Sequence, residues 1–319
     1  MSQPALSVEG LTIRVGAIRA VSDVSFALEP GERVGLIGES GSGKTLTALA
    51  IMGLLSEGLS ATGSVLYAGQ DLLAMSEREL CRVRGDRLAM VFQEPMTALN
   101  PLMKIGDQIA EPLRLHRQMR QPQARTSARE LLERVHMPDP SEKLNAYPHQ
   151  LSGGQRQRAM IAMAMACSPE ILIADEPTTA LDVTVQAQIL DLLRELVDER
   201  GATLLLITHD LPVVSNVCDR VMVMYGGRIV EHGSLEDVFG QPRHPYTRAL
   251  LNSIPPLDEE LPSRKLATVP GSVPGLGAFP PGCPFRNRCP RAQADCEVMP
   301  PLVPNGSTEH TFACWHPLT

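Results

Sequence analysis

The sequence predicts an α/β protein: a parallel sheet built around a phosphate-binding loop, a small antiparallel sheet ahead of it, a helical stretch within it and a loop-rich extension after it. Three observations predict this. Gly38-Glu-Ser-Gly-Ser-Gly-Lys44-Thr45 fills every fixed position of the pattern G-x-x-x-x-G-K-[ST], between an apolar run at Arg33–Ile37 and a helical pattern beginning at Leu46. Further short apolar runs, Leu88–Phe92, Ile171–Ala174 and Thr203–Ile207, each end in polar residues. That is where a parallel sheet presents a site. Beyond Gly240, prolines cluster and periodicity is lost.

In order, Leu11–Val15 and Val24–Leu28 alternate and read as strands of the antiparallel sheet, and Pro30-Gly31 turns the chain into the loop strand. Gly58–Asp71 reads as another strand and turn, centred on Val65-Leu66-Tyr67. Leu88–Phe92 is a buried strand followed by a turn at Met96–Pro101 and by helices to about residue 145. Six arginines between Arg114 and Arg134 read as a solvated helical face. Ser152 is positioned to cap a helix that runs through the apolar segment Ala159–Ala166.

The chain is 319 residues long with 43% hydrophobic content, enough for a sizeable core and about two domains. A net charge of −7 argues against a nucleic-acid partner. No secretory signal is visible, and the longest apolar run, Ala159–Cys167, falls short of the ~18 residues a spanning helix needs. Any membrane link is therefore expected to pass through a partner.

Each candidate site residue has a physical role. The backbone N–H groups of Gly38, Glu39, Ser40, Gly41, Ser42 and Gly43 can wrap an anion, and Lys44 adds a positive charge. The helix that follows places its N-terminus at the phosphates. Thr45 offers a hydroxyl to magnesium, and Asp175 a carboxylate. Gln93 can reach the same ion from its strand end. Glu176 would orient or deprotonate the attacking water, and His209 would hydrogen-bond a terminal phosphate. Ser152, Gly153, Gly154 and Gln155 form a second helix N-terminus able to hold a phosphate. Two such ends serve one triphosphate if two chains pair head to tail, each lending this end to the other.

The seven cysteines are an odd number without a secretory signal, so metal or free thiols are expected rather than disulfides. Cys81, Cys167 and Cys218 read as packing residues. Cys283, Cys289, Cys296 and Cys314 crowd into an extension expected to have only a weak core of its own. Such a unit gains from a metal staple. Four thiolates suit zinc, with His310 or His316 as a further ligand, or an iron–sulfur cluster.

Taken together, Gly38–Thr45, Gln93, Leu151–Gln155, Asp175-Glu176, Asp182 and His209 resemble, in order, the motif set of an ABC-transporter ATPase subunit: Walker A, Q-loop, signature, Walker B, D-loop and H-loop. The resemblance spans about residues 5–235. Phe92–Pro101, Tyr147–Gln150, His244–Leu250, Pro270–Pro274 and Gly282–Phe285 further resemble the oligopeptide/dipeptide/nickel importer branch. This implies a P-loop ATPase core over about residues 1–238, with a helical subdomain at about 95–165, and an importer-type extension over about 239–319. It implies ATP and Mg2+ as ligands and ATP hydrolysis driving uptake of di- or oligopeptides, or of nickel or another small solute. The implied partners are a second ATPase subunit, a paralogue by the family's habit, two transmembrane permeases and an extracytoplasmic binding protein. The implied place is the cytoplasmic face of a bacterial inner membrane. For the four cysteines the resemblance implies a [4Fe-4S] cluster, zinc being the alternative. The family stacks adenine on an aromatic residue, but Val15 stands at that position, with Ile13 and Arg14 beside it. The rival class, a soluble ABC ATPase acting on nucleic acid or the ribosome, is disfavoured by the acidic charge and the importer-type tail.

Overall fold

The computed structural model describes residues 3–179, 181–254 and 268–319. The chain opens with β1 (Leu6–Val15) and β2 (Ile18–Leu28), then β3 (Arg33–Ile37), which feeds helix α1 (Lys44–Ile51). Strands β4 (Leu59–Tyr67) and β5 (Gln70–Asp71), helix α2 (Glu77–Val83) and β6 (Leu88–Val91) follow. The helical stretch holds α3 (Pro95–Ala98), α4 (Ile105–Arg117), α5 (Gln121–Arg134), α6 (Pro140–Lys143) and α7 (Gly153–Ala164). It returns through β7 (Ile171–Asp175), α8 (Val183–Arg200), β8 (Thr203–Thr208), α9 (Leu211–Val217), β9 (Arg220–Tyr225) and β10 (Arg228–Ser234). Helix α10 (Pro245–Asn252) and the hairpin β11 (Val303–Asn305) and β12 (Ser307–Phe312) complete the chain.

Two sheets result. β2, β1, β4 and β5 form an antiparallel sheet; the second runs β11-β12-β10-β9-β3-β8-β7-β6. Pairing of β3 with β8 and β9, and of β7 with β6 and β8, is parallel. These four-to-six-residue strands are buried almost throughout, as parallel strands covered on both faces must be. Their C-terminal ends therefore gather the loops after Ile37, Val91, Asp175 and Thr208 on one edge of the sheet.

Several expectations are corrected. The turn at Met96–Pro101 begins as a helical turn, Pro95–Ala98, with proline at its first position, where its missing N–H is harmless. The arginine face is only partly a solvated one: Arg125 pairs with Asp107, Arg129 with Glu133 and Arg134 with Glu199. Cys167 and Cys218 are buried, but Cys81 is exposed, on a polar turn of α2. The extension does not rest on a weak core of its own. β12 pairs with β10 and continues the main sheet, while Cys283, Phe285 and Cys296 join the main hydrophobic core. Its attachment includes a buried polar knot: the Glu231 carboxylate, fully shielded, accepts the backbone N–H groups of Arg243 and His244 and meets His310 Nε2 at 2.9 Å. No helix among the described residues is long and apolar enough to cross a membrane.

Candidate nucleotide site

The phosphate loop sits where β3 ends and α1 begins. Gly38 has φ +153°, and a Cβ there would lie 2.1 Å from the Met224 carbonyl oxygen. Gly43 has φ +105° and would meet Met224 and Val21 side chains at 2.9 Å. Both positions thus require glycine: the loop is pressed against β9 and β2 and has no room for side chains. Lys44 is buried and lies back along the loop, its ammonium donating to the Gly38 carbonyl at 2.7 Å and the Glu39 carbonyl at 3.1 Å. Burial lowers its pKa, against the opposing pull of Glu176, Asp175 and Glu39.

The expected metal ligands converge. Thr45 Oγ1 donates to Asp175 Oδ1 at 3.2 Å, and Ser42 to Thr45, Gln93 and Glu176 line one cavity. Asp175 is buried, and its pKa is pushed up to about 6, chiefly by burial; the nearby Glu176 adds to the rise, while the Thr45 hydroxyl and Lys44 oppose it. The carboxylate pair and hydroxyl at a buried strand end are the hard oxygen donors that magnesium prefers, and a dication would offset the charge Asp175 holds at a cost.

Glu176 is held on three sides. Gln93 Nε2 donates to its Oε2 at 3.1 Å, Thr179 Oγ1 to the same oxygen at 2.9 Å, and His209 Nδ1 lies 3.1 Å from Oε1. Its backbone adopts φ +44°, a left-handed conformation costly for a non-glycine residue, and its N–H donates to the Ile207 carbonyl at 2.8 Å. Gly38, Glu39, Ser40, Gln93, Glu176 and His209 line a second, adjoining cavity. All candidate residues of the phosphate and metal groups are thereby brought together.

The Ser152–Gln155 end is not among the residues lining either cavity. Ser152 is exposed and caps α7 through a reciprocal pair with Gln155: the Gln155 N–H donates to Ser152 Oγ at 3.3 Å, and the Ser152 N–H to Gln155 Oε1 at 3.0 Å. A Cβ on Gly154 would meet Val185 at 2.8 Å, so α7 is pressed against α8 there. Asp182 caps α8, accepting the Val185 N–H at 3.0 Å, and its neighbour Ala180 lies outside the described residues.

Two groups reach the phosphate loop from the C-terminal part of the chain without any sequence signal for that role. The Tyr246 hydroxyl accepts the Glu39 N–H at 2.8 Å. The Arg288 guanidinium, nearly fully buried, grips the Glu39 carboxylate through both terminal nitrogens at 2.7 and 3.0 Å. It also donates to the Tyr225 hydroxyl and stacks near the Tyr225 and Phe285 rings. Tyr246 lies within the His244–Leu250 segment that marks the importer resemblance, but that likeness carried no hint of its task.

The four extension cysteines line one small enclosed pocket, with Trp315 and His316 at its wall. Burial raises the Cys283 thiol to about 11 and Cys314 to about 12 and lifts Cys289; for each, neighbouring cysteines add to the rise. Thiols close enough to repel one another as thiolates are a donor set that a cation would stabilise. Among the described residues, the donor atoms gathered within 4.8 Å of one another are those of Asp295, Cys296 and His316. His310, a candidate zinc ligand, is instead committed to Glu231 and Asn305, whereas His316 does face the pocket.

Asp175 allows a test that needs no nucleotide. An acid whose pKa is raised in the fold carries no penalty below its unfolded value near 3.8 and the full penalty above its folded value. A rise to about 6 corresponds to about 3 kcal/mol at neutral pH. Asp175→Asn is expected to stabilise the metal-free protein at pH 7.5 by about 1–3 kcal/mol, with the gain shrinking as the pH falls toward 4. Urea unfolding at a series of pH values measures this; a variant less stable than the parent at pH 7.5 contradicts it.

A glycine-wrapped anion cradle at a helix N-terminus, facing strand-end carboxylates across a parallel sheet, defines a phosphate-loop nucleotide-binding protein. Comparison with known proteins narrows this. The ABC transporter family model matches residues 21–179, and the model of the oligopeptide/dipeptide transporter C-terminal region matches residues 230–296. The oligopeptide transport ATP-binding protein OppD of Escherichia coli (strain K12) is 50% identical over 287 residues, 90% of this chain and 85% of that protein. OppD of Salmonella typhimurium (strain LT2) is likewise 50% identical over 287 residues. A dimeric, post-hydrolysis structure of the ATP-binding cassette MJ0796, bound to ADP and Pi, is 31% identical and superposes with a TM-score of 0.65 over 72% of this chain and 98% of that one. The chain belongs to the ABC-transporter ATP-binding family, in the branch carrying the oligopeptide/dipeptide transporter C-terminal region, and is an ATP hydrolase of that family.

Proposed function

We propose that this chain is the ATP-hydrolysing subunit of an importer of di- and oligopeptides, acting at the cytoplasmic face of a bacterial inner membrane. The observation that carries the reading is the union, in one chain, of the assembled ATP site with the oligopeptide/dipeptide-type C-terminal region. Its organisation is an ATP-binding domain over about residues 1–238, with a helical subdomain at about 95–165, and an importer-type extension over about 239–319. Its partners are a second ATPase subunit of paralogous sequence, two permeases and an extracytoplasmic solute-binding protein.

In this reading Lys44 leaves the Gly38 and Glu39 carbonyls to meet the outer phosphates, while the N–H groups of Gly38 to Thr45 cradle them. Thr45, Asp175 and Gln93 hold Mg2+, which supplies charge neutralisation across the outer phosphates. Glu176 takes a proton from water aligned for in-line attack on the γ-phosphorus, the bond from that phosphorus to the bridging β-phosphate oxygen breaks so that ADP leaves, and His209 both orients Glu176 and hydrogen-bonds the γ-phosphate. Ser152, Gly153, Gly154 and Gln155 cover the nucleotide held by the paired subunit, which is why they stand apart from the phosphate loop of their own chain. Most of the rate gain comes from positioning and fixed charge.

Uptake of labelled dipeptides, oligopeptides and nickel by cells carrying this chain or its Glu176→Gln form tests the cargo. Loss of peptide uptake in the variant is expected. Loss of nickel uptake alone would change the cargo and keep the mechanism, and unchanged uptake of all of them would remove the importer reading.

For the extension we propose that Cys283, Cys289, Cys296 and Cys314 ligate a [4Fe-4S] cluster. The reading is supported by the pocket that the four cysteines line together and by the family resemblance of the extension. Bound there, the cluster would cross-link the segment that carries Cys283, Cys289 and Cys296 to Cys314, just after β12. Cys283→Ser is expected to lower the iron and acid-labile sulfide content of the purified protein. Acid loss of the cluster should brighten Trp315, which adjoins Cys314. One zinc per chain with no iron would replace this reading by the zinc alternative.

A further inference from the structure

Because the family's aromatic base platform is replaced by Val15, something else must meet the base. Val15 and Ile18 face each other across the end of the β1–β2 hairpin and are 38% and 40% exposed. Neither neighbour of Val15 helps. Ile13 is fully buried, and strand alternation turns Arg14 to the opposite face. No aromatic residue lines the cavity that holds Ser42, Lys44 and Thr45. Its apolar wall residues outside the loop glycines are Ala20, Leu46 and one residue from far along the chain, Leu276.

Leu276 is 52% exposed, yet it is held firmly in place. Its neighbour Gly277, at φ +83°, packs on Ile18 so closely that a Cβ there would stand 3.0 Å from Ile18 Cδ1. The loop carrying it is fastened on both sides. Arg288 donates to the Pro270 carbonyl at 2.7 Å while gripping Glu39 of the phosphate loop, and Phe279 packs edge-on against Tyr225 with ring centroids 5.9 Å apart. A large aliphatic side chain thus stands on the wall of the cavity that the phosphate loop lines, next in sequence to the Gly277 that packs on Ile18. An apolar surface fixed at that position matches the face of a purine, and sheltering it from water favours binding.

We propose that the C-terminal extension supplies one wall of the nucleobase site, with the Leu276 side chain meeting the face of the adenine of ATP. This rests on the ATP-site reading above and deepens it. Aliphatic contacts grip the ring faces and do not read its polar edge, so the site should discriminate weakly between ATP and GTP.

Calorimetric titration of the full chain with Mg-ATP, Mg-GTP and Mg-tripolyphosphate separates base from phosphate binding. Leu276→Asp is expected to weaken ATP and GTP alike by about tenfold and to leave tripolyphosphate unchanged. Leu276→Phe, which keeps an apolar platform, should bind ATP at least as tightly as the parent. Equal losses for ATP and tripolyphosphate, or no loss for ATP, would overturn the assignment. Lys44→Ala distinguishes the two levels: if it spares ATP, the phosphate-site reading fails. If it weakens ATP and tripolyphosphate together while Leu276→Asp leaves their ratio unchanged, only the base wall fails.

Discussion

Glu176→Gln is expected to leave ATP binding within about twofold of the parent and to reduce phosphate release by about 10²–10⁴-fold. The side chain keeps its shape, so Gln93 and Thr179 can still donate to its remaining oxygen, and the left-handed backbone at this position is unchanged. What is lost is the acceptor for the proton of the attacking water. The opposed readouts make the test sharp: a phosphate-release assay falls while calorimetric ATP affinity holds. Structural damage would lower both together. Phosphate release within a few-fold of the parent would remove Glu176 from the role of base and leave His209, its 3.1 Å neighbour, as the group to examine.

Lys44→Ala is expected to weaken ATP binding by at least about 10²-fold. The ammonium is buried among backbone carbonyls, at a desolvation cost that shows as its lowered pKa. Those carbonyls are weak compensation, and the phosphates offer full negative charges at the same place. Lys44→Arg should rescue little, because a planar fork cannot turn within a loop already closed at Gly38 and Gly43. Calorimetry on the two variants checks both statements. ATP affinity within threefold of the parent in Lys44→Ala would overturn the reading of this loop as the phosphate site.

Much of the site was legible because its parts are local. Each catalytic group stands at the C-terminal end of a buried strand, and an apolar run followed at once by polar residues shows that in the sequence. The strand Arg33–Ile37 was read to the residue, as was Ser152 as a helix cap, whereas its reciprocal pairing with Gln155 came only from the structure. β9, β10 and α8 were passed over because they carry none of the chemistry that directed attention elsewhere. The hairpin β11–β12 was hidden in a proline-rich stretch with no alternating pattern of its own; it becomes a strand pair by adding to the edge of β10.

The sequence by itself determined the phosphate loop, the strand-end carboxylates, the family and the presence of four clustered cysteines. These rest on spacings of a few residues, and the backbone geometry of a strand–loop–helix turn follows from where its glycines stand. Only the tertiary structure decided that the extension belongs to the nucleotide site. Arg288 reaches Glu39 across 249 residues of chain, Tyr246 reaches the Glu39 N–H across 207, and Leu276 comes to line the cavity of the phosphate loop. Such meetings leave no periodicity or spacing to read. They arise because β9 and β10 carry the chain back beside β3, and the buried aromatic rings of Tyr225, Tyr246 and Phe285 draw the extension down onto the loop they flank.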